Sequence, residues 1–72
     1  MDEKLDKLAE IEGYEDVSEF LNEVGFESVV PGICTNPNCD YTTSVEPDQD
    51  KGHCENCRTK TVQSCLVLAG VI

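Results

Sequence analysis

Seventy-two residues, fifteen of them Asp or Glu against five Lys or Arg, make a short chain with a formal net charge of −10. A chain of this size buries only about 60% of its unfolded surface, so a core alone is marginal and a single stapled domain is expected. The acidity argues against a broad phosphate-binding surface, and the apolar end from Leu66 to Ile72 is far short of the roughly 20 residues that cross a bilayer.

The charge is uneven. Residues 1–33 carry ten acids and two bases, whereas residues 34–72 carry five acids and three bases, Lys51, Arg58 and Lys60. Plain solvation explains such a surface, and so does recognition of a basic protein partner.

The chain begins with a pattern that predicts two helices. Asp2 can cap the first, Leu5, Leu8 and Ile11 recur on one side, and Gly13 suits the left-handed stop. Asp16 followed by Glu19 makes a capping box for the second, in which Val17, Phe20, Leu21 and Val24 form one buried face. Gly25 ends that helix, and Phe26 is expected to fold back over its last turn. The glutamates at 19, 23 and 27 form its solvated face.

Val29, Val30 and Ile33 are extended, with a turn signal at Pro31 and Gly32 between them. Tyr41, Thr43 and Val45 alternate with Thr42 and Ser44 as in a short strand, and residues 46–52 turn the chain back toward His53 and Cys54. A hairpin between the cysteine pairs follows from this. Beyond Thr61, the positions of Val62, Cys65, Leu66, Ala69 and Ile72 share one helical face and favour a C-terminal helix, with a strand over 62–68 as the alternative.

Five cysteines punctuate this plan. Cys34 and Cys39 flank four residues, Cys54 and Cys57 flank two, and fourteen residues separate the pairs. Two close pairs of this kind fit a structural Zn²⁺ site, because each short loop delivers two thiolates with little chain to order. An odd cysteine count without a secretory leader (Met1, Asp2, Glu3 and Lys4 are a polar start) fits reduced thiols in a cytoplasm better than a disulfide scaffold. Four thiolates leave no open position for water, which argues against a hydrolytic metal.

Cys65 is the spare, expected in the core. His53 adjoins Cys54 and is expected beside the site or at the surface rather than on the metal. Glu46, Asp48 and Asp50 alternate but lack the offsets of a calcium loop. With one histidine, no serine elbow and no phosphate loop, the chain is not expected to be an enzyme.

The residues Pro31, Gly32, Ile33 and Cys34, then Cys39, Asp40 and Tyr41, the turn from Val45 to Gly52, the pair Cys54 and Cys57, and the end Leu66 to Gly70 together resemble a family of small zinc-ribbon-like proteins of tailed phages, prophages and bacteria. The resemblance covers residues 31–72. It implies metal at Cys34, Cys39, Cys54 and Cys57 and a phage or bacterial cytoplasmic setting, with no activity attached. Cys65 departs from the small residue expected at its position.

The expectation is thus one small α+β zinc-stabilised domain. It has a helical part over 1–30 and a zinc module over 31–72, built as a zinc-ribbon or treble-clef-like four-cysteine hairpin and ending in a helix. A protein-interaction role fits best. The alternatives are a nucleic-acid-binding ribbon and a structural protein that self-associates through its apolar C-terminus.

Overall fold

The computed structural model describes residues 3–72, so the expected cap Asp2 lies outside the described residues. The chain runs α1 (Glu3–Ile11), α2 (Val17–Val24), β1 (Val30–Cys34), β2 (Thr42–Val45), β3 (Gly52–Cys54), β4 (Thr59–Ser64) and α3 (Cys65–Leu68). The strands form one antiparallel sheet in the order β2-β1-β4-β3.

Both N-terminal helices form. Gly13, at φ +90°, ends α1. Its N–H donates to the Glu10 carbonyl at 3.0 Å, and that of Tyr14 to the Ala9 carbonyl at 2.9 Å. This paired arrangement satisfies carbonyls that the helix end would otherwise leave open. Asp16 caps α2 by accepting from the Ser18 N–H at 2.9 Å. The buried face of α1 is Leu5, Leu8 and Ala9; Ile11, expected among them, is 44% exposed because the chain turns away there.

Phe26 also departs from expectation. Gly25 adopts ordinary helical angles (φ −63°, ψ −16°), so no left-handed reversal brings Phe26 back over the helix. The ring stands 95% exposed.

The helices pack against the sheet and share one core with it. Leu5, Leu8, Phe20 and Val24 meet Val30, Ile33, Cys65 and Leu66, and the Tyr14 ring lies 5.2 Å from that of Phe20. The second buried cluster is Cys34, Cys39, Cys54 and Val62, and Val45 packs against both.

The C-terminal half differs from the predicted plan in three ways. No turn interrupts residues 30–34: β1 runs through Pro31, which pairs with Ser44 of β2, while pairing with β4 begins only at Gly32. Proline is tolerated where one side of the strand asks for no donor. Next, β2 and β3 do not form a hairpin with each other but lie on opposite edges of the sheet. Each cysteine pair instead spans the turn of its own hairpin, β1–β2 or β3–β4, with Cys34 and Cys54 at the strand ends and Cys39 and Cys57 in the loops. Finally, the expected C-terminal helix is reduced to the single turn Cys65–Leu68, and the residues before it are strand. Thr59, Thr61 and Val62 are β-branched, and β4 fills the place between β1 and β3 before Ser64 caps the single turn of α3. The helical spacing of Val62, Cys65 and Leu66 arose because one is buried from a strand and two from the turn that follows it.

Candidate metal centre

Two chain reversals build the site. Asn38 (φ 66°), just before Cys39, and Arg58 (φ 59°), just after Cys57, occupy the left-handed region usually left to glycine. Asparagine enters this region comparatively easily. In the first loop the Cys39 N–H donates to the Asn36 carbonyl at 3.2 Å, and the Cys34 N–H to the Tyr41 carbonyl at 2.9 Å. In the second, the Arg58 N–H reaches the Cys54 carbonyl at 2.7 Å and the Cys57 N–H points at Cys54 Sγ, 3.3 Å away.

These loops bring the sulfurs of Cys34, Cys39, Cys54 and Cys57 within 4.8 Å of one another. Cys34 and Cys57 are 3.9 Å apart, and Cys39 and Cys54 3.7 Å. No disulfide links them: all five cysteines are free. A tetrahedral ion bonded to sulfur at about 2.3 Å separates its ligands by about 3.8 Å, so the spacing suits one metal ion. The donor set fits as well, since four soft thiolates match a soft or borderline cation.

The thiols are electrostatically unequal. Hydrogen bonds from the Asn56 side chain, the Tyr41 backbone and Cys57 favour the Cys39 thiolate and bring its pKa down to about 6. Burial pushes the Cys54 thiol up. At Cys57 a hydrogen bond from Asn36 favours the thiolate. The Cys39 side chain, burial, Cys34 and Cys54 outweigh it and raise the pKa to about 11. Without a cation, crowding of this kind keeps several thiolates from forming side by side. A bound cation removes that restriction, and its binding releases protons.

Three supporting residues escaped the sequence reading. The Asn56 amide lies 3.4 Å from Cys39 Sγ, and the Thr61 hydroxyl 3.1 Å from Cys34 Sγ. The position of Asn56 inside the second loop was a usable signal. Thr61 became a neighbour only through the β1–β4 pairing, where Cys34 stands opposite Val62. The third is Lys4, whose ammonium donates to the Cys39 carbonyl and lies 3.6 Å from the Asp40 carboxylate, tying α1 to the first loop.

Cys65 lies in the helical core, apart from the cluster, and burial raises its thiol to about 11. His53 is exposed and outside the group of four. Glu46, Asp48 and Asp50 are exposed in the turn between β2 and β3. Among the described residues, no helix is long and apolar enough to cross a membrane. No family model, curated protein or solved structure significantly matches the chain.

Proposed function

We propose that this chain is a ribbon-like mini-domain held by one structural Zn²⁺ at Cys34, Cys39, Cys54 and Cys57, and that it works as a protein-interaction module. The metal role is carried by one observation: four free sulfurs from two hairpin turns, all within 4.8 Å. A full set of thiolates leaves no coordination position for water or substrate, which suits a structural ion better than a catalytic one. Zinc binding contributes about 10–16 kcal/mol of apparent free energy to small peptides of this kind, enough to decide whether a 72-residue chain folds. The sequence resemblance favours a phage or bacterial cytoplasmic setting, in which an accessory factor is the matching role.

The interaction role draws on the surface. Glu10, Glu12, Glu15, Glu19, Glu23 and Glu27 are all exposed on the helical side, a field that suits a basic protein. Nucleic-acid binding has one observation in its favour, because Lys51, His53, Arg58 and Lys60 are exposed on or beside the β3–β4 hairpin. Three permanent cations in a chain of net charge −10 release few counterions, so this reading ranks second. Self-association finds support in Val71 and Ile72, which are 65% and 63% exposed.

Substitution separates the metal reading from its rivals. Cys54→Ser is expected to lose zinc and folded structure, and Cys65→Ala to keep both. Zinc retained in the first and lost in the second would refute the ligand set. A salt-steep gel shift with generic duplex DNA would promote the nucleic-acid reading.

A further inference from the structure

Phe26 is the most exposed large apolar side chain among the described residues, at 95%. Its position follows from the helix before it. Gly25 keeps helical angles and donates to the Leu21 carbonyl at 3.0 Å, so the chain holds its helical course as far as Phe26. Two residues beyond Val24 is about 200° around the helix, so Phe26 emerges opposite the buried Phe20 and Val24. Glu19 and Glu23, seven and three residues earlier, are exposed on that same outer side, and Glu27 follows. No Lys or Arg occurs from residue 8 to residue 50, so nothing in this half neutralises those carboxylates by sequence proximity.

We infer that this ridge, an aromatic ring flanked by Glu19, Glu23 and Glu27, is a docking surface for a protein partner offering an apolar pocket rimmed by Lys or Arg. The inference rests on the protein-interaction reading above and names its surface and its partner's chemistry. Aromatic side chains that enter a pocket carry a disproportionate share of interface energy. Flanking charges chiefly steer the encounter and select the partner. A second copy of the chain is the wrong occupant: it brings the same glutamates and another −10 to the contact. Nucleic acid is repelled by the same field.

Two peptides of equal charge test this on the zinc-loaded full chain by NMR titration: an amphipathic helical peptide of Lys and Leu, and a Lys-Gln counterpart without apolar side chains. The Lys-Leu peptide should shift the Phe26 ring and the amides of residues 19–27 saturably, and bind about tenfold more tightly than the Lys-Gln peptide. Phe26→Ala removes no core contact and should erase that difference with zinc content and amide dispersion unchanged. The double change Glu19→Lys and Glu23→Lys should weaken binding at low salt and matter less at high salt. Equal affinity for the two peptides, or unaltered binding to Phe26→Ala, overturns the inference. So does a wild-type dimer that Phe26→Ala abolishes. Shifts confined to Val71 and Ile72 overturn this surface while leaving the interaction module standing.

Discussion

Metal loading of the four-cysteine site must expel protons, and the site's own chemistry fixes how many. Cys54 and Cys57 both have pKa values raised above that of an ordinary thiol, Cys57 to about 11, so both hold protons at pH 7. Cys39, at about 6, is already largely ionised in the folded chain. A folded metal-free chain therefore releases at least two protons per metal at pH 7 and no more than three. An unfolded metal-free chain, with ordinary thiols near 8.5, releases close to four. The sign is fixed by competition: protons and metal share the same sulfurs, so apparent affinity falls as pH falls. Two to four protons mean a loss of roughly two to four decades of affinity between pH 8 and pH 7. Below pH 6 the Cys39 proton joins the competition, and the slope for the folded chain steepens. Zinc titration calorimetry in buffers of different ionisation enthalpy counts the protons directly. Fewer than two at pH 7 would mean that Cys54 and Cys57 are not both protonated in the metal-free chain, and the actual count tells whether the chain is folded before metal arrives.

Two further predictions concern the sheet that carries the site. At Gly32 a Cβ would lie 2.8 Å from Val45 Cγ2 and 3.0 Å from the Gln63 carbonyl, and the carbonyl, being backbone, cannot swing aside. Gly32→Ala should cost about 1–3 kcal/mol by overpacking, exceeding the roughly 0.5–1 kcal/mol that alanine gains over glycine in a strand; a melting temperature equal to wild type would contradict it. Buried Ser64 accepts from the Val67 N–H at 3.1 Å and donates to the Pro47 carbonyl, so Ser64→Ala loses a helix cap and strands an acceptor. Denaturant titration should show a loss of about 1–3 kcal/mol, and an unchanged midpoint would show that neither bond matters.

The parts legible in the sequence were those governed by local chemistry. Cysteine spacing identified four residues that the fold brings together, and the apolar rows with Asp16 and Gly13 marked both N-terminal helices. What was illegible depended on partners distant in the chain. Residues 62–64 read as the start of a helix because Val62 and Cys65 happen to fall three apart, while the deciding factor was the vacant place beside β1. The hairpin was misplaced for a related reason. The loops through Asn38 and Arg58 are themselves the chain reversals, so each pair of ligands spans a turn of its own rather than the base of one shared hairpin. Phe26 was missed because its fate hung on whether Gly25 adopted left-handed or helical angles, and glycine permits both.

Whether the four-cysteine cluster is a zinc site is decided by the sulfur coordination of the purified protein. X-ray absorption at the zinc edge, combined with metal content per chain, should report one zinc bonded to four sulfurs at about 2.3 Å. A first shell containing nitrogen or oxygen, or protein isolated with Cys34 joined to Cys57 and Cys39 to Cys54 as disulfides and no metal, would contradict it.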